Sequence, residues 1–410
     1  MNVLQRIAMQ VLFAGLSLTM HAQNLEWSKK ANPTFNSINS IVFNADGSKV
    51  LSGTNCHPAS IRIFDVLSSN LDWDFTVDTS FMCIMGVSFS SNSNYIATIE
   101  EFGNIFIFDQ TGVIPVLVDT INTGTSYGFS IAISPTNQTL AVGCSNGKLK
   151  IYNLLNGSLL HDINAHASWV TSVSYSSDGQ FLVSGGSDDK VKLWDSSGNS
   201  IGTFTGHSND LTQVKFTHDD TYIISSSKDK TIRIWNIATQ QWVKTMSGHF
   251  GSVNSIDISP NNQLIVSGSS DSTCKIWDIT SGSSIETFGV KDSGVVNSVA
   301  WSPLGDRIVT GNQQSDIMMW KLAIGLSNEL GFSKHRKFFV YPNPSNSELH
   351  IQSNGDVSYT NMKIRNFLGQ QVFQSWKSDF IQVEQLPIGM YYLEFYDKMN
   401  LVEAIVFQKN

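Results

Sequence analysis

Apolar and polar residues alternate along most of this chain in runs of about six, and the runs recur. Seven of them end in the same way, with an apolar residue, a variable one, a second apolar residue and an aromatic. The endings are IRIF to Phe64, IFIF to Phe108, LKIY to Tyr152, VKLW to Trp194, IRIW to Trp235, CKIW to Trp277 and IMMW to Trp320. Successive aromatics stand 44, 44, 42, 41, 42 and 43 residues apart. Between endings, two alternating runs flank a turn, as in SYSSDGQFLVSGG, DISPNNQLIVSGS and AWSPLGDRIVTGN. Period-two alternation around Asp-Gly, Asn-Asn or Leu-Gly predicts hairpins of short strands.

A unit of about 40–45 residues with this ending predicts a four-stranded blade. One blade cannot bury both of its faces, whereas seven packed around an axis bury them and leave only short edges. The expected fold is all-β: a seven-bladed β-propeller followed by a small C-terminal β-sandwich. Six units are followed by a further strand-like run, such as DWDFTV or IGTFTG. The seventh lacks one, and Leu25-Glu26-Trp27 is the expected outer strand that closes the ring.

Three consecutive units carry a polar constellation at fixed spacing: His166, Ser184, Asp188 and Trp194; His207, Ser225, Asp229 and Trp235; His249, Ser267, Asp271 and Trp277. Ser follows His by 18 residues, Asp by 22 and Trp by 28 in each. With these residues, the span from about 25 to 325 resembles the WD-repeat family. The resemblance implies that each set forms a structural hydrogen-bonded tetrad. Ser, His and Asp also build catalytic triads, but an enzyme needs one such site beside a cleft, not three copies on successive repeats. The other four units lack the His; Pro58, Phe102, Asn146 and Gln314 stand at the Asp position, and those blades are expected to hold by apolar packing alone.

From about Phe338 the period disappears and short strands separated by Pro, Asn and Gly turns predict a β-sandwich. Tyr341-Pro342-Asn343-Pro344, the NFLGQ run at Asn366–Gln370, LPIGMYY at Leu386–Tyr392 and Lys409 closely resemble the C-terminal sorting domain of the type IX secretion system. That resemblance implies passage through the periplasm and delivery outside the cell or onto its outer surface. The N-terminal end agrees. Arg6, the apolar stretch Ile7–Met20 interrupted by Gln10, and Ala22 predict an export signal over 1–22. The expected organisation is signal 1–22, propeller 23–325, linker 326–337 and sorting domain 338–410, with no membrane-spanning segment after signal removal.

Composition narrows the function. The formal net charge is −8, and the one basic run is Lys334-His335-Arg336-Lys337, which argues against nucleic acid. The chain contains no HExxH or P-loop motif, and no catalytic, cofactor-binding or metal-binding residue is expected. Cys56, Cys83, Cys144 and Cys274 are widely spaced and are expected as free buried thiols.

Aligning the units at the start of the innermost strand gives Ser37, Cys83, Tyr127, Trp169, Asp210, Ser252 and Val295. Two residues later come Asn39, Met85, Phe129, Thr171, Thr212, Asn254 and Asn297. In proteins of the family it resembles, the narrow upper face of the ring often recognises peptides through these positions, and large aromatics around a concavity are typical hot spots. Met85, Tyr127, Phe129, Trp169 and Asp210 are therefore the candidate partner-binding residues, with a turn of some of them into the blade as the competing reading. The expected function is a secreted, non-enzymatic, monomeric scaffold for protein or peptide partners that also engages the secretion machinery. A glycan-binding propeller is the alternative, and a propeller hydrolase ranks below it.

Overall fold

The computed structural model describes residues 24–30, 37–55, 59–76, 83–112, 114–125, 127–289, 294–322, 338–341, 348–353, 359–366, 371–376, 378, 380–387, 389–397 and 400–409. The export signal expected over 1–22, the linker over 326–337 with its basic run, Cys56, Pro58, residues 342–344 and residues 367–370 lie outside that set. The chain divides into two compact units, 1–325 and 326–410.

The first unit is seven antiparallel four-stranded sheets. Blade one runs outward from the axis as Ile38–Phe43, Lys49–Thr54, Ser60–Asp65 and Leu71–Thr76, and blades two to six repeat that order. Blade seven takes three consecutive strands, Val296–Trp301, Arg307–Asn312 and Asp316–Lys321, and receives its fourth from Asn24–Lys30. Each innermost strand contacts the next around the ring, and the first contacts the seventh. The ring is closed.

Blades pack face on face, so the second strand of each is buried on both sides; Leu264–Ser269 has every residue buried. Close approach explains the small residue near the end of that strand. A Cβ on Gly311 would sit 2.4 Å from Cγ2 of Ile38 in the next blade. Between blades two and three the arrangement is reversed. Ile99 stands where the other units have Gly or Ser, and the facing residue is Gly128, whose Cβ would lie 2.4 Å from Cγ1 of Ile99. One interface volume is filled from either side.

The seam is held by side chains as well as by strand pairing. Trp27 Nε1 donates to the Val66 carbonyl of blade one at 2.8 Å. Arg307 Nε donates to Glu26 at 2.7 Å, and Lys30 pairs with Asp316 at 2.9 Å.

In the second unit a three-stranded sheet (Phe338–Tyr341, Glu348–Ser353, Phe380–Gln382) accompanies a four-stranded one (Gln371–Trp376, Asn361–Asn366, Gly389–Asp397, Asn400–Lys409). Leu349, Ile351 and Ile381 of the first share a core with Met362, Ile364, Leu393 and Phe395 of the second. Two sheets around one apolar core make a small sandwich.

Candidate functional site

In blade four, Trp194 Nε1 donates to Ser184 Oγ at 2.9 Å, Ser184 Oγ meets His166 Nε2 at 2.8 Å, and His166 Nδ1 meets Asp188 at 2.8 Å. Blades five and six repeat the chain through Trp235, Ser225, His207 and Asp229, and through Trp277, Ser267, His249 and Asp271, at 2.7–2.8 Å. An indole N–H only donates, so the Ser oxygen accepts it; the Ser O–H then donates to Nε2, and Nδ1–H donates to the carboxylate. Each Asp also accepts a backbone N–H, from Ala167, Ser208 or Phe250.

Burial, opposed by the facing carboxylates, holds His166 and His249 below the ordinary imidazole value. Burial pushes Asp188 and Asp271 up. The hydrogen bonds they accept and the facing imidazole more than reverse it, leaving both lowered, Asp271 to about 2. The result is a neutral imidazole on an ionised carboxylate. Ser184, Ser225 and Ser267 are 0% exposed, and each Oγ already receives an indole proton. Nothing in that arrangement presents a nucleophile.

Two expectations need correction. Three of the four blades without His, the first, second and seventh, are not held by apolar packing alone, because the last residue of the second strand supplies polar ties. Buried Glu100 accepts N–H groups from Phe102 at 2.9 Å and from Asn104 at 2.7 Å. Asn312 Oδ1 accepts those of Gln314 and Asp316, and Thr54 Oγ1 accepts that of Ser60. In blade seven Trp320 Nε1 donates to Thr310 at 3.2 Å. In blade four the last residue of the second strand is Gly186, where a Cβ would stand 2.4 Å from His166 Nδ1. The second correction concerns the thiols. Cys83 is disulfide-bonded, while Cys144 and Cys274 are free and buried, and burial pushes both thiols up.

The axial channel encloses about 280 Å³, and its upper rung is the predicted second ring from Asn39 to Asn297, including Met85, Phe129 and Thr171. Beside its mouth four aromatic rings form a ladder. Phe102 lies 6.3 Å from Tyr127, Tyr127 lies 6.5 Å from Phe129, and Phe129 lies 5.1 Å from Trp169, with planes 30°, 22° and 26° apart. Phe102, Tyr127 and Trp169 are 44%, 40% and 47% exposed. The rings come from the turn at Phe102 and from the starts of the inner strands of blades three and four.

Of the five candidate residues the structure brings Tyr127, Phe129 and Trp169 together. Met85 is half-buried on the channel wall and packs partly against the core between blades two and three. Asp210 stands apart, ion-paired to Lys228 at 2.8 Å. Phe102 was not among the candidates. The signal for it was an aromatic standing where the repeat places a short carboxylate, which reads first as a lapse in the pattern.

A closed ring of four-stranded blades, stapled by indole–hydroxyl–imidazole–carboxylate chains, defines a repeat propeller. A family profile described as WD domain, G-beta repeat matches residues 121–153, 157–195, 198–236, 240–278 and 282–321. One described as Secretion system C-terminal sorting domain matches residues 339–408. The chain thus carries five matched WD40 repeats, completed to seven blades by two divergent units, and a type IX sorting domain that directs export to the cell surface or beyond. WD40 repeats as a class form interaction scaffolds.

Curated relatives align over parts of the chain. WD repeat-containing protein 3 of Homo sapiens is 41% identical over 61 residues, 15% of this chain and 6% of that protein. Apoptotic protease-activating factor 1 of Homo sapiens is 27% identical over 154 residues, 35% and 12% respectively. Protein groucho of Drosophila melanogaster is 27% identical over 95 residues, 23% and 13%. The chain therefore spans only a small fraction of each relative's length.

Proposed function

We propose that this protein is an exported, non-enzymatic scaffold whose ring captures a protein or peptide partner across the ladder of Phe102, Tyr127, Phe129 and Trp169. In this reading 23–325 is the working unit, 326–337 a joining segment and 338–410 the address. The observation that carries it is the ladder itself. Soluble monomers seldom keep several large aromatics half-exposed side by side, and such patches mark binding sites. Phe129 lies within a paired inner strand, and Tyr127 and Trp169 stand directly before one, with their carbonyls accepting from Ser145 and Ser187, so little entropy is lost on docking.

The test is capture of extracellular and surface material by the purified ring, wild type against a Tyr127→Ala/Trp169→Ala double variant, with thermal melting alongside. Loss of a protein band at unchanged melting temperature supports the proposal; equal capture overturns it. Aromatic ladders also stack on sugars, so a polysaccharide retained in place of a protein would decide for the glycan reading.

A further inference from the structure

The mouth of the channel is chemically divided. Met85 and Phe129 give it an apolar arc on blades two and three, while Asn39, Asn254 and Asn297 give it an amide arc on blades one, six and seven. Two of those amides are engaged. Asn39 Nδ2 donates to the Ile84 carbonyl at 3.0 Å, and Asn254 donates to the Val296 carbonyl at 2.9 Å while accepting from Ser270 at 3.1 Å. Among the described residues no protein atom hydrogen-bonds the half-buried amide of Asn297. The cation on the channel wall, Lys215, is tied to Asp257 at 2.5 Å.

We infer that the channel mouth is an anchor pocket for one uncharged, half-apolar side chain of a protein partner, best matched by tyrosine, with its ring against Phe129 and Met85 and its hydroxyl on Asn297. This rests on the ladder reading and deepens it. Phe129 is at once a ring of the ladder and a wall of the channel, so a segment lying on the ladder reaches the pocket without a break. A cavity of about 280 Å³ falls just below the roughly 300–1,000 Å³ of pockets that enclose whole ligands, and so suits a single side chain. A charged side chain would lose its hydration there and, among the described residues lining the channel, meet no free counter-charge. Tyrosine asks for one hydrogen-bond partner, and an amide both donates and accepts.

Four probes test the pocket apart from the ladder: the N-acetyl amides of tyrosine, arginine and glutamate, and methyl β-glucoside, each titrated into the full chain by saturation-transfer NMR. The tyrosine amide should bind at least tenfold more tightly than the other three. Asn297→Leu and Phe129→Ala should each weaken it about tenfold at unchanged melting temperature. Asn297→Asp should weaken it and admit the arginine amide. A charged amide or the glucoside binding the wild type as well as the tyrosine amide overturns the inference, as does no binding of the tyrosine amide or binding indifferent to all three substitutions. Failure of the ladder reading is a separate result, since it is read from partner capture by the Tyr127→Ala/Trp169→Ala variant.

Discussion

Ser298 in blade seven accepts the backbone N–H of Ile41 in blade one at 3.0 Å, across 257 positions of sequence. The same bond recurs around the channel: Val87 to Ser40, Val173 to Ser130, Val214 to Ser172, Ile256 to the Gln213 side chain and Val299 to Ser255, at 2.6–3.2 Å. Between blades two and three, Gly86 has no side chain to offer, and the tie moves two residues along, with Ile133 donating to Ser88 at 3.2 Å. Inner-strand N–H groups that face a neighbouring blade thus find their acceptor there, so the belt couples the blades.

Ser298→Ala should therefore cost about 1–3 kcal/mol, the price of a buried N–H left without a partner. Ser172→Ala at an internal interface should cost a similar amount if the ring unfolds as a unit. Urea denaturation of both variants checks this. A much larger loss at Ser298 alone would mean that the seam opens first.

The tetrads and their degenerate counterparts should respond in opposite ways. Ser225→Ala strands both the Trp235 indole and the His207 ring, and should cost about 2–4 kcal/mol. Ser52 and Thr98 occupy the same position in blades one and two, beside Phe64 and Phe108, which have no N–H to give. Among the described residues their buried hydroxyls have no hydrogen-bond partner. Ser52→Ala and Thr98→Val should change stability by less than about 0.5 kcal/mol or raise it slightly, because an unpaired buried hydroxyl is itself a cost. Calorimetric melting of the three variants separates the cases.

Acid should weaken the ring in two stages. His166 and His249 have folded values below 6.5, so the unfolded chain takes up their protons first. Stability is complete above about pH 6.5 and falls as pH drops from there towards the folded values. Asp188 and Asp271 are lowered from 3.8, Asp271 to about 2. Their contribution is present above the unfolded value and is lost as pH falls from about 4 through the folded values. Urea midpoints from pH 8 to pH 3 should show both stages, and His249→Gln should shrink the first. A midpoint flat down to pH 4.5 contradicts the neutral-imidazole assignment.

Ile99 and Gly128 should couple. Ile99→Gly alone leaves a cavity, at a cost of about 2–5 kcal/mol. Gly128→Val alone drives a side chain into Ile99. Together they recreate the packing found at the seam, where Gly311 faces Ile38. The double variant should recover about 1–3 kcal/mol of the summed loss. Strict additivity in a double-mutant cycle would contradict the close contact.

The ring was legible in the sequence because its signal repeats: each aromatic ending marks a third strand, and the His–Ser–Asp–Trp spacing identifies positions that meet in space. The missing fourth strand of blade seven could be assigned to Leu25–Trp27 by counting. What escaped was non-periodic. Glu100 and Asn312 tie their turns through a position that carries Gly186 in blade four, so no repeat pattern points to them. Phe102 joins the ladder only because the blade-two turn approaches Tyr127, a contact between adjacent units that alignment within units does not display. The disulfide at Cys83 likewise depends on proximity that spacing alone does not reveal.

Placement of the partner is the most direct measure of the whole account. A photo-crosslinking benzoylphenylalanine set at position 102, on the ladder, is compared with one at position 242, where Trp242 is 56% exposed on the outer strand of blade five. After irradiation with captured surface material, crosslinked protein should appear from position 102 and not from position 242. Crosslinks from 242 with none from 102 would contradict the ladder as the binding surface.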